Sequence, residues 1–218
     1  MSWLISAKQY IPAVIGEPFG GGYFAGYISH TADGNPTHAL IVAPKATETT
    51  SAWALNQNAA NGINYSTTTI GVVANGAFDG AANMAVFESI GIANFPAAQA
   101  CKNVTAGGFA DWYLPSRWEL DIAYFNLKPS TDANTTSWGT NNYSVPKRTV
   151  NYTLSYPVQT VVPAFITTSQ QGFSSGNYFS STEVGAAVAW GVNFINGNQF
   201  SGGKTTTPRC RAFRKIAL

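Results

Sequence analysis

Apolar residues return every third or fourth position in two stretches of this 218-residue chain, and every second position in another. Ala97, Ala100, Cys101 and Val104 fall on one helical face, with Pro96 near its start and Gly107-Gly108 at its end. Leu120, Ala123, Tyr124 and Leu127 repeat that spacing. Ser116 with Glu119 three residues later forms a capping box, and Lys128-Pro129 stops the helix. Between the two helices Trp112-Tyr113-Leu114-Pro115 reads as a buried connector. Val188, Trp190, Val192 and Phe194 alternate and run into Asn196-Gly197, the strongest short hairpin signal. Tyr23 to Ser29 and His38 to Ala43 read as strands on either side of an Asp33-Gly34 turn.

Residues 44–80 and 130–177 have no clear period and are rich in Asn, Thr and small residues. Long irregular stretches inside a compact domain are unusual and often functional. Trp53, Leu55, Ile63 and Tyr65 are the expected anchors of the first. No repeat, heptad or linker interrupts the chain. The order of strands, two helices, long loops and a terminal hairpin sheet predicts an α+β domain over residues 20–218. Residues 1–19 form an N-terminal arm or attachment segment. Its Trp3, Leu4 and Ile5 either dock into a partner or form an edge strand of their own domain. The expected core is Trp112, Leu114, Leu120, Tyr124, Trp190 and Phe213, with Glu183 hydrogen-bonded beneath the surface.

Composition narrows the class. Charged residues make up 10%, far below the ~25% of ordinary soluble domains. Aromatics reach 13%. Low charge with many aromatic and turn residues favours a loop-rich fold of extracellular type and argues against disorder. A net charge of +2 does not imply a nucleic-acid partner. Lys204, Arg209, Arg211, Arg214 and Lys215 nevertheless crowd the C-terminus; they either bind phosphate or, the favoured reading, face solvent or pair with acids elsewhere. No apolar run approaches the ~20 residues of a membrane span, so membrane insertion is not expected. The first residues carry no secretory signal.

Candidate chemistry is sparse. His30 and His38 flank the Asp33-Gly34 turn without an evident third ligand, so neither a metal site nor a cofactor is expected. Asp111, Glu119 and Asp121 are the densest acids and raise the question of a glycosidase pair. Glu119 is taken by the capping box, and Asp121 is expected to face water. The expectation is a protein without enzymatic activity.

Several blocks together resemble a known group. They are His38 to Lys45, Pro96 to Cys101, Asp111-Trp112-Tyr113-Leu114-Pro115-Ser116 with Glu119-Leu120, Asn126 to Pro129, Tyr178 to Glu183, Trp190, and Arg211 to Arg214. The pattern is similar to phage and bacterial proteins of the DUF1566 group and covers nearly the whole chain from Gly20. The resemblance implies a C-type-lectin-like domain with two helices, a small antiparallel sheet and long irregular loops. Related proteins include the variable receptor-binding proteins of phages that carry diversity-generating retroelements. Their ligand-contacting segment matches Val184 to Pro208 here. The candidate contacts are Val184, Ala186, Ala187, Asn193, Ile195, Asn198, Phe200, Ser201, Lys204 and Thr206. Such a fold makes a Cys101–Cys210 disulfide geometrically plausible, with two buried thiols as the alternative.

The chain departs from calcium-dependent lectins. It lacks their Glu-Pro-Asn or Gln-Pro-Asp motif, and Trp190-Gly191-Val192-Asn193 is not their Trp-Asn-Asp strand. A calcium-bridged sugar site is therefore not expected. Nor do Cys101 and Cys210 support the chemistry of the related formylglycine-generating enzymes. The resemblance implies a non-enzymatic phage virion protein, a tail or capsid-surface adhesin that binds a host surface receptor, glycan or protein. A homotrimer that gains avidity and packs with other virion proteins is the implied assembly. The alternatives are a structural decoration or fibre-base protein and, further off, a cell-wall or glycan hydrolase. The implied location is the virion, with the bacterial cell surface or exterior as the alternative.

Overall fold

In a computed structural model of the chain, residues 10–56 and 76–218 are described. The strands and helices run in the order β1 (Pro18–Phe19), β2 (Gly22–Ile28), β3 (His38–Val42), β4 (Thr49–Thr50), α1 (Gly80–Ile90), α2 (Pro96–Lys102), α3 (Arg117–Leu127), β5 (Ser144–Val145), β6 (Asn177–Gly185), β7 (Val188–Asn193), β8 (Gln199–Gly203), β9 (Arg209–Cys210) and β10 (Phe213–Ala217). The fold is α+β. One five-stranded sheet has the order β1-β2-β3-β10, with β5 also pairing β2; the other runs β4-β9-β6-β7-β8. All pairings are antiparallel except β6 with β9, which meet in parallel at Tyr178 and Arg209. Two sheets, one antiparallel and one mixed, thus stand among the described residues where a single small antiparallel sheet was expected.

Among the described residues there are three α-helices where the periodicity predicts two. α1 buries Gly80, Asn83, Met84 and Phe87, a true helical face. Gly and Asn hold half of it, so an apolar count passes over it. Asp79 caps it, its side chain accepting the Ala82 N–H at 3.0 Å. α2 starts at Pro96 as expected but ends at Lys102, short of the glycines. α3 carries the full capping box at Ser116 and Glu119.

β3 lies between β2 and β10 and is apolar throughout after His38; Ala39 to Val42 are fully buried. α3 packs on β2, β6 and β7 and so joins the two sheets. It seats on β2 through Gly26, whose φ of +127° accompanies a register shift after Phe24. Asn126 on α3 donates there to the Ala25 carbonyl at 2.8 Å. A Cβ at Gly26 would stand 2.4 Å from the Asn126 amide, so a larger residue would lift the helix.

Trp112, Leu114, Leu120, Tyr124 and Phe213 are all buried, and Tyr113 exchanges backbone hydrogen bonds with Phe213 at 2.8 and 2.9 Å. Trp190 does not belong to this core: it is half-buried, with a cation on its face. Trp53 anchors its segment through an Nε1–H bond to the Ser180 carbonyl at 2.9 Å, whereas Leu55 is 62% exposed. Ile63 and Tyr65 lie outside the described residues, as do Trp3, Leu4 and Ile5. Of the segment 1–19, β1 pairs with β2, and the Gly16 N–H reaches the Phe24 carbonyl. Among the described residues no helix is long and apolar enough to cross a membrane.

Candidate functional site

The matching segment Val184 to Pro208 is built on the β7–β8 hairpin, in register from Val188 opposite Gly203 to Val192 opposite Gln199. Asn193 and Asn196 hold the turn: their side chains accept the N–H groups of Ile195 at 2.8 Å and Asn198 at 3.1 Å. Such local bonds are what suit Asn to turns. Gly197 has φ +71°, and a Cβ there would meet the Tyr124 ring at 2.4 Å. The tip is therefore folded down onto α3 rather than projecting.

The ten candidate contacts divide into three groups. Ala186, Ile195, Ser201 and Thr206 are exposed. Val184, Ala187, Asn193, Asn198 and Phe200 are half-buried. Phe200 lies against Phe179 and covers Gly191, so it is a wall of the core more than a free aromatic. Lys204 differs from all of them: it is fully buried and ion-paired with Glu183. Its ammonium also sits 4.6 Å from the centre of the Trp53 ring. Burial pushes Glu183 up to about 7 and pulls Lys204 down, each opposed by the other's charge. As a surface contact Lys204 is corrected; its charge is needed inside to match a carboxylate that cannot reach water.

Beneath the hairpin, Ser180, Ser181, Thr182 and Glu183 of β6 are all fully buried. Ser180 donates to the Trp190 carbonyl, Thr182 to the Gly76 carbonyl, and Ser181 accepts from Asn83. Thr182 also accepts the first N–H of α3, from Arg117. A shift in the β6–β7 register between Phe179 and Glu183 accompanies this interior polar seam.

Beside the hairpin the structure gathers residues that sequence reasoning did not connect. The Arg117 guanidinium lies 3.7 Å from the Trp190 ring centre, 4.2 Å from Trp118 and 5.4 Å from Trp138. All three indoles are half-buried. Trp138 meets Trp190 edge to face and donates its N–H to Asn198 at 3.1 Å. The Trp190 N–H is buried without an acceptor among the described residues. Burial pushes Arg117 down to about 10, which leaves it a cation at neutral pH. Its Nε donates to Gln199, which passes a hydrogen bond to Asp121 at 3.1 Å. Three indole faces around a cation form a platform for stacking on flat or C–H-rich ligand surfaces. The one sequence signal was a high tryptophan count; Trp138 sits in an aperiodic stretch.

Asp121 does not face water. It is 1% exposed and accepts from Asn141, Arg148, Tyr152 and Gln199. Glu119 accepts from Ser116, Gly80 and Tyr113, and burial pushes it up to about 7. Asp111 pairs with Arg214. The C-terminal cations are matched internally: Arg209 with Glu48, Lys215 with Asp79, and Arg211 with the carbonyls of Ala43 and Gln171.

His30 and His38 stack 4.3 Å apart, and His30 reaches Asp79 at 3.7 Å. Ligand atoms of His30, Asp79 and Glu119 lie within 4.8 Å of one another. The Lys215 ammonium already occupies Asp79, and the Glu119 oxygens are taken by N–H and O–H donors. This donor set is that of a charge-balanced network rather than of a metal centre. Burial pulls His30 down to about 4.

No protein-family model and no curated protein matches the chain. Cys101 and Cys210 are buried free thiols side by side. The hydrogen bond between them, then burial, push the Cys101 thiol well above its ordinary value.

Proposed function

We propose that this chain is a C-type-lectin-like virion protein, a phage tail or capsid-surface adhesin that holds a host-cell receptor without chemical turnover. One observation carries the reading: a hairpin with exposed Ile195 and Ser201 borders a half-open cluster of Trp118, Trp138 and Trp190 around Arg117. Recognition residues commonly ride on rigid scaffolds in this way, and aromatic and Arg anchors dominate binding energy. The resemblance of its sequence blocks to the DUF1566 group suggests the phage setting, and avidity favours a homotrimer. The test is competition: purified protein should block adsorption of the phage to its host. Trp118→Ala with Trp138→Ala should abolish the block while the fold persists. Retention of full blocking by that pair of changes sinks the assignment of this face.

A second reading, a decoration or fibre-base protein, is favoured by a different surface. Val14, Val158 and Val161 are 65%, 61% and 90% exposed on neighbouring segments. Grouped apolar exposure of this kind suits packing against other virion proteins. Particles that assemble without the protein, yet fail only in adsorption, would exclude this reading.

A further inference from the structure

We propose that the cleft between α3 and the 144–156 loop is a second binding site, one that takes a saccharide unit carrying a carboxylate. The cleft has a volume of about 300 Å³, at the lower end of the range for small-molecule sites. It is walled by Phe125, Tyr152 and Tyr156. Phe125 stacks on Tyr152 at 6.4 Å and meets Tyr156 edge-on at 5.5 Å. Tyr156 is 55% exposed, a large ring left partly uncovered at the rim.

The charge in the cleft has one sign. Lys147 and Arg148 line it, and no Asp or Glu does. Arg148 is matched by Asp121 behind the wall. Among the described residues Lys147 makes only a 3.5 Å bond to the Ala32 carbonyl, so its charge is available to a ligand anion. Polar groups are also unengaged. Asn126 uses its amide N–H on Ala25, leaving its carbonyl oxygen to accept. Among the described residues Thr149 and Asn151, both exposed, make no side-chain hydrogen bond.

Three demands then meet in one ligand. It must present C–H surface to the rings, hydroxyls to the amides and a negative charge to Lys147. A purely apolar molecule would leave the amides unmet, and a small inorganic anion would leave the rings bare. A sugar ring with a carboxylate satisfies all three. The site lies apart from the hairpin, joined to it through Asp121 and Gln199 and through Trp138, whose carbonyl accepts the Tyr152 N–H, and does not depend on the receptor reading.

The probes are glucuronate, glucose and acetate, titrated into the full chain and followed by amide NMR shifts. Glucuronate should give saturable shifts in 144–156 and bind about fivefold more tightly than glucose. Lys147→Ala should erase that preference and leave glucose binding unchanged. Tyr156→Ala should weaken both sugars about tenfold. Both positions are exposed, and Trp118→Ala on the hairpin side should leave this binding intact. Three results overturn the proposal: no saturation with glucuronate, acetate binding as well as glucuronate, or indifference to both variants. Failure of host adsorption alone would count against the hairpin face and not against this cleft.

Discussion

The β7–β8 hairpin and the 130–162 loop both lie against α3 and both read as polar, Asn-rich sequence, yet they hold their shapes by opposite means. In the hairpin the backbone does the holding: five residue pairs are in register, and the exposed side chains at Ile195 and Ser201 hold nothing in place. In the loop the side chains hold the backbone. Asn134 donates to the carbonyls of Thr153 and Pro157 and accepts from Tyr124; Asn141 accepts the N–H groups of Tyr143 and Ser144; Lys128 donates to the carbonyls of Asp132 and Pro157. Irregular sequence is therefore not the same thing as tolerant sequence. The loop has fixed residues hidden among free ones, and the hairpin segment has its own in the turn, at Gln199 and at Lys204.

The largest expected effect lies on the loop side. Asp121→Ala strands the Arg148 cation and three further donors, and should lower the unfolding free energy by ~3–5 kcal/mol in urea titration. A loss below ~1 kcal/mol would mean that backbone pairing, not this carboxylate, carries the loop. Next comes the buried ion pair just past the hairpin. Lys204→Met alone should cost ~3 kcal/mol by leaving Glu183 buried and unpaired. Adding Glu183→Gln should recover much of that, and a double-mutant cycle measures the difference.

A smaller effect is read from pH. Glu119 and Glu183 sit near 7 when folded against an ordinary 4.5. The folded chain keeps protons that the unfolded chain has released, so these two groups lower stability as pH rises from about 4.5 to 7. His30, at about 4 when folded, acts in the opposite direction between about 4 and 6.5. Glu119→Gln should thus flatten the decline, seen as urea midpoints that favour neutral pH relative to the parent. An unchanged slope would remove Glu119 from this role. The smallest effect is expected on the open hairpin face: Ile195→Thr and Ser201→Ala should each shift stability by less than ~0.5 kcal/mol.

What the sequence made legible follows the range of the signal. α2, α3 with its Ser116–Glu119 box, the Trp112–Leu114 connector and the Asn196-Gly197 hairpin all announce themselves within a few residues. α1 was hidden because Gly80 and Asn83 share its buried face with Met84 and Phe87. The split into two sheets depends on pairings such as β3 with β10, which no local pattern encodes. Asp121 reads as a solvent-facing helix residue until Asn141, Arg148 and Tyr152 arrive from the following loop. The tryptophan cluster draws on positions 117, 118, 138 and 190 and exists only in three dimensions. Lys204 looks like a surface lysine between glycines and threonines, and only Glu183 reveals otherwise.

That buried lysine sets a rule for anyone who would diversify this scaffold. A library randomised across 183–208 is not uniformly permissive. Clones that stay folded should return lysine at 204, or change 204 and 183 together, while Ala186, Ile195, Ser201 and Thr206 drift freely. Deep sequencing after selection for folding alone would show 204 covarying with 183, while the exposed positions carry noise.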